Sequence, residues 1–132
     1  MAQTVLVVDD DPIMHQVLQH SLQRQGYQLL NAKGGHEALE IATRLLPDLI
    51  LLDVGMPDMS GLTALRHLKE NQKTRATPVI VITAQVDRAT HVESEISGAA
   101  AFLTKPFRSA DLLQLLHKIL PPEQDQLPSV TK

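Results

Sequence analysis

The chain has 132 residues, 43% apolar and 20% charged, which fits one globular domain burying about two-thirds of its unfolded surface. Its net charge of −3 gives no basic footprint for nucleic acid, and the absence of cysteine removes disulfides, thiolate nucleophiles and cysteine-based zinc sites. Nothing at the N-terminus resembles a secretory signal, and no apolar run approaches the roughly 20 residues that span a bilayer, so the expected setting is cytoplasmic, with no membrane or nucleic-acid contact.

The first element is VLVV (5–8), which runs directly into Asp9, Asp10 and Asp11. Asp11 followed by Pro12 reads as a helix start, N-cap then first helical position, so Asp11 is expected to shape the chain. The helix after Pro12 carries Ile13, Val17, Leu18 and Leu22 as its expected apolar face and stops at Gly26. A second β-rich run, YQLLNA (27–32), precedes a helix from about Gly35 to Leu46. Its apolar positions are Ala38, Leu39, Ala42, Leu45 and Leu46, and Pro47 ends it. LILL (49–52) leads to a third helix after Gly61, with Leu62, Leu65 and Leu68 facing inward. VIVIT (79–83) precedes a polar, weakly helical segment over 87–96. AFLT (101–104) precedes a helix over 109–120 with a stripe of Leu112, Leu115, Leu116 and Ile119. Tyr27, Phe102 and Phe107 are the only aromatics, so the core must be aliphatic.

Five strand-then-helix repeats imply a parallel sheet, because helices supply the crossovers that parallel strands require. LILL and VIVI lack polar alternation, which suits strands covered on both faces. The expected fold is an α/β doubly wound, three-layer sandwich, and in such sheets ligands bind beyond the carboxyl ends of the strands. The residues at those ends are Asp9 and Asp10, Asp53, Thr83 and Lys105; the second strand ends in Asn31, Ala32 and Lys33, which offer less.

Carboxylates brought this close either hold protons or share a hard cation. Mg²⁺ prefers oxygen ligands and is commonly held by one or two carboxylates plus phosphate oxygens. One carboxylate is then available to attack phosphorus, while Lys105 and Thr83 meet the charge on the transferred oxygens. The set suits phosphoryl transfer onto an aspartate.

VLVVDDDP, GGHEALE, PDLILLDVGMPDMSGL, PVIVITA and GAAAFLTKPF, in this order and spacing, resemble the receiver domain of two-component response regulators across nearly all of Val5 to Leu120. The resemblance implies a flavodoxin-like sheet of order 2-1-3-4-5. It makes Asp53 the phosphoacceptor and Asp10 a direct Mg²⁺ ligand, with Asp9 organising the metal and its waters and Gly55 offering its backbone carbonyl. Thr83 matches the switch hydroxyl, Phe102 the switch aromatic and Lys105 the family's lysine, before a Pro106 whose peptide bond is often cis in relatives. The implied phosphodonor is a phosphohistidine on a sensor histidine kinase or a histidine phosphotransfer protein. The implied output is a downstream effector or a further domain, reached through the face made by the fourth helix, fifth strand and fifth helix. Leu113 and Leu120 widen the apolar stripe of the fifth helix, and either a broad core face or a surface for docking or phosphorylation-dependent dimerisation accounts for them.

Two departures border the site: Gly55, where relatives often carry Asn or Met, and Gln85 two residues after Thr83. Both bear on phosphoryl lifetime; glycine leaves the approach unguarded and equally offers no group to orient a water. The six histidines show no metal-ligand spacing within a helix and read as partly exposed helix residues; for His15, one turn after the aspartates, an approach to the site mouth is the less favoured alternative. Residues 1–120 are the expected domain, and the proline-rich end, 121–132, is the expected tail or linker. Two other readings remain. A degenerate receiver would act as a phosphorylation-independent binding module, against which the full residue set argues. A haloacid-dehalogenase-like phosphatase needs a second aspartate where this chain has Gly55. The expected protein is thus no enzyme beyond its own phosphorylation and dephosphorylation.

Overall fold

The structure is a computed structural model and describes residues 3–84 and 87–121. Its elements are β1 (Thr4–Val8), α1 (Pro12–Gln23), β2 (Gln28–Ala32), α2 (Gly35–Leu45), β3 (Leu49–Leu52), α3 (Gly61–Glu70), β4 (Val79–Thr83), α4 (Arg88–Ile96), β5 (Ala101–Thr104) and α5 (Ser109–Ile119). Every pairing is parallel and the order is β2-β1-β3-β4-β5, as the resemblance implied. The last three β-rich runs coincide with strands residue for residue. Gln85 and the expected tail after Pro121 lie outside the described residues.

Alternation along the strands divides the core in two. Leu6, Val8, Ile50, Leu52, Val79 and Val81 face α2 and α3, meeting Ala38, Ala42, Leu62, Leu65 and Leu68. Val5, Val7, Leu49, Leu51, Ile80 and Ile82 face α1 and α5, meeting Leu18, Leu22, Leu112 and Leu116. Both sheet faces are therefore covered, which is why these strands read as continuous apolar runs. Leu113 and Leu120 pack, half-buried, against the second of these cores.

Two helical faces differ from expectation. Ile13 and Val17 are 67% and 49% exposed, whereas Met14, His15, Leu18 and Leu22 turn inward. At about 100° per residue, Ile13 and Val17 stand about 140° and 100° round the helix from Leu18, too far to share its stripe. Leu45 and Leu46 are likewise exposed, because α2 ends there: Leu46 takes a left-handed conformation at φ 50° and turns the chain toward β3. Asp11 does cap α1, its carboxylate accepting from the Ile13 N–H at 2.9 Å with Pro12 at the first helical position.

α4 is the least embedded helix. Its buried residue is Ser94, whose hydroxyl donates back to the His91 carbonyl, and its tie to α3 is the half-exposed Arg66–Glu93 pair at 3.1 Å. Among the described residues no helix is long and apolar enough to cross a membrane.

Candidate functional site

Parallel pairing places the carboxyl ends of β1, β3, β4 and β5 along one edge. The Asp9 N–H donates to the Ala32 carbonyl, the Asp53 N–H to Val8, and the Lys105 N–H to Thr83, so each strand end is pinned to its neighbour. Beyond these bonds, Asp9, Asp10 and Asp53 bring one carboxylate oxygen each within 4.8 Å of one another. Asp9 and Asp53 are buried and Asp10 is exposed. Lys105 closes the group from β5, its ammonium 2.7 Å from Asp9 Oδ2 and 3.7 Å from Asp53 Oδ2. The Lys105–Pro106 peptide is cis. Asp11, occupied at the helix cap, is not one of the three clustered carboxylates.

The turn after β3 is shaped to leave Asp53 at its mouth. Gly61 N–H reaches back to the Val54 carbonyl at 2.8 Å, and a Cβ on Gly61 would sit 2.1 Å from the Asp53 carbonyl oxygen. Gly55 is exposed and its N–H approaches Asp53 Oδ1 at 3.4 Å. Burial pushes the Asp53 carboxyl above its ordinary value of 3.8. The charges of Asp9 and Asp10 push the same way, against Lys105 and the Gly55 N–H. For Lys105, burial disfavours the charged form, but the hydrogen bond to Asp9 and the charges of Asp53, Asp9 and Asp11 outweigh it and leave the ammonium stabilised.

One ammonium among three carboxylates leaves a net negative, oxygen-only cluster. That donor set fits a hard divalent cation such as Mg²⁺, with Asp9, Asp10 and Asp53 as the side chains able to hold it. Thr83 is buried at the end of β4, beside Asp53's strand. Phe102 pairs with Val81 in the sheet, and its half-buried ring stacks on His91 of α4 with centroids 4.6 Å apart and planes 17° from parallel.

Two residues at the site escaped the sequence reading. His15, expected as a partly exposed helix residue, with an approach to the site mouth the less favoured alternative, is 9% exposed: its Nε2 donates to the Asp9 carbonyl at 2.6 Å and its Nδ1 lies 2.9 Å from Asn31 Oδ1. Its spacing to Leu18 and Leu22, three and seven residues on, was the available signal. Asp58, in the turn after Asp53, accepts from the Gly35 and His36 N–H groups at 3.0 Å each and so caps α2 from another loop. A Cβ on Gly34 would fall 2.7 Å from that carboxylate. The separation of 23 positions between Asp58 and Gly35 hides this cap from any local pattern.

Comparison with known proteins gives a consistent result. The sequence model of the response regulator receiver domain matches residues 5–117. The response regulator PleD of Caulobacter vibrioides is 44% identical over 106 residues, which are 80% of this chain and 23% of PleD. The protein PilH of Pseudomonas aeruginosa is 34% identical over 116 residues, 88% of this chain and 96% of PilH. The chain thus spans about a quarter of one relative and nearly all of the other. Among solved structures, the chemotaxis protein CheY4 of Vibrio cholerae superposes with a TM-score of 0.85 at 32% identity, covering 91% of this chain and all of CheY4. The chain belongs to the response regulator receiver domain family.

Proposed function

We propose that this chain is a working phosphoacceptor of a two-component system, carrying the phosphoryl group on Asp53. The observation that carries the reading is the cluster of Asp9, Asp10 and Asp53 closed by Lys105 at the carboxyl edge of the sheet. An Asp53 oxygen attacks the phosphorus of a phosphohistidine; the new P–O bond forms as the N–P bond breaks, and its electron pair stays on the imidazole nitrogen, which takes up a proton. Asp10 and Asp53, with Asp9 and the Gly55 carbonyl, would hold Mg²⁺, which when bound supplies charge neutralisation for the transferred oxygens. Lys105 stands 3.7 Å from Asp53, close enough for its ammonium to exchange Asp9 for a phosphoryl oxygen. The Thr83 hydroxyl is the second partner for that group.

Phosphorylation replaces the single carboxylate charge of Asp53 with a phosphoryl group that carries nearly two charges and three further acceptor oxygens, and shifts the population between two arrangements of Thr83, Phe102 and the α4–β5–α5 face. α4 suits a moving part, since it buries Ser94 alone and is held to α3 by a half-exposed ion pair. Receiver domains are signalling modules that work with histidine kinases and output domains. In this reading the chain is cytoplasmic, receives its phosphoryl group from a sensor histidine kinase or a phosphotransfer protein, and catalyses only its own phosphorylation and dephosphorylation. Its output is a partner protein or a further domain, contacted as monomer or dimer through α4–β5–α5. The complete acidic cluster with its lysine argues against a binding module without phosphorylation.

The test is intact mass after incubation with acetyl phosphate, with and without Mg²⁺, for the parent and Asp53→Asn. One added phosphoryl group that needs Mg²⁺ and disappears in the variant is expected. Equal labelling of the variant would overturn the assignment of Asp53.

A further inference from the structure

Asp9 is held at every polar atom. Its N–H donates to the Ala32 carbonyl at 3.1 Å, its Oδ1 accepts from the Asp11 N–H at 2.9 Å, and its Oδ2 accepts from Lys105 at 2.7 Å. The remaining atom is the backbone carbonyl, and it accepts from His15 Nε2 at 2.6 Å. A carbonyl only accepts, so Nε2 carries hydrogen whatever the charge on the ring. Asn31, at the end of β2, fixes the other ring nitrogen at 2.9 Å, and its side-chain amide presents whichever of its two ends Nδ1 requires.

We infer that His15 is a positioning residue for the acidic site, one that sets the plane of the Asp9–Asp10 peptide and through it the direction of the Asp10 carboxylate. The inference rests on the metal-binding reading of the site. The Asp9 carbonyl and the Asp10 nitrogen belong to one planar unit, so a bond to that carbonyl limits rotation of the segment carrying Asp10. Asp10 is exposed, and its N–H and carbonyl take no part in the sheet ladder, which ends at Val8 and Ala32. Its carboxylate must nevertheless converge with the buried Asp9 and Asp53 to within 4.8 Å. His15 supplies the missing constraint from α1, and its burial together with the Asn31 contact at its other nitrogen holds the ring that delivers it. Groups that orient metal ligands through one hydrogen bond are worth about tenfold or more in metal affinity.

The experiment is a MgCl₂ titration of ¹⁵N-labelled protein, followed by the amide resonances of Asp10 and Asp53, for the parent, His15→Leu and His15→Gln. Glutamine places an N–H donor close to the position of Nε2, whereas leucine fills the space and donates nothing. The expected result is Mg²⁺ binding weakened about tenfold in His15→Leu and restored to within about threefold of the parent in His15→Gln. A purely structural role would weaken both variants alike or neither, and either result overturns the inference while leaving the metal reading standing. If His15→Leu does not fold, Asn31→Ala replaces it; Asn31 is exposed, and its loss frees the ring without emptying the core. Weakened binding there supports the inference and parental binding overturns it. A parent that binds no Mg²⁺ at Asp10 and Asp53 overturns the metal reading, and the inference falls with it.

Discussion

At the scale of single residues, the ionised carboxylate of Asp53 is held at a cost in stability. Its carboxyl is raised above 3.8 by burial and by the neighbouring Asp9 and Asp10 charges. The unfolded chain therefore loses this proton first, and ionisation penalises the folded state above that value. Asp53→Asn is expected to be more stable than the parent at neutral pH without divalent cation. The difference should close as pH falls below 3.8, measured by urea unfolding across pH. Lys105→Ala separates two roles: it should leave Mg²⁺ binding intact or stronger, since it removes a cation already on Asp9, while uncoupling phosphorylation from Phe102 and α4. Loss of Mg²⁺ binding in that variant would show the lysine to be a support for the metal cluster. Sequence reading singled out Asp9, Asp10, Asp53 and Lys105 because each stands at a strand end within a motif resembling the family's, and the structure brings these four together. It read His15 as partly exposed, because a polar ring weighs against burial even where its spacing matches Leu18 and Leu22.

At the scale of elements, the strands were legible and the helix faces only partly so. LILL, VIVIT and AFLT are read directly because an uninterrupted apolar run buried on both faces has few alternatives. α1 offered five apolar residues to choose from, and only their phase relative to the sheet decides that Leu18 and Leu22 are buried while Ile13 stays exposed. The same contrast gives a test: Leu116→Ala, at a fully buried position on α5, should cost about 2–5 kcal/mol. Ile96→Ser, at a position 80% exposed on α4, should change stability by less than about 0.5 kcal/mol. Gly61→Ala should cost about 1–3 kcal/mol, because its Cβ meets the Asp53 carbonyl where neither backbone can yield freely. The cap on α2 adds a pH signature of opposite sign to that of Asp53. Hydrogen bonds from His36 and Gly35 hold the Asp58 carboxyl below 3.8, so its contribution is present above that value and is lost as pH falls through the lower, folded one. Asp58→Ala is therefore expected to lower the melting temperature at neutral pH and to converge with the parent in acid.

At the scale of the whole molecule, the site exists only because the topology gathers residues from four strand ends. Asp9 and Lys105 are 96 residues apart in the chain and 2.7 Å apart in space. No spacing rule predicts that distance: β3 and β4 stand between β1 and β5, and the long Lys105 side chain reaches back along the carboxyl edge to Asp53 and Asp9. Gathering carboxylates in this way couples cation binding to folding. Mg²⁺ should raise the unfolding free energy by about 2.7 kcal/mol at a concentration one hundred times its dissociation constant, and a chelator should reverse the gain. Asp10→Asn should lose most of that increment while remaining folded, because its side chain is exposed and removes no core contact.

The most direct measurement locates the phosphoryl group itself. Protein treated with acetyl phosphate and Mg²⁺ is reduced with borohydride, which converts an aspartyl phosphate into homoserine, and the peptides are then mapped by mass spectrometry. Homoserine at position 53, and at neither Asp9 nor Asp10, is the expected result. Conversion at Asp9 or Asp10 with an unmodified Asp53 would contradict the placement of the phosphoacceptor at the end of β3.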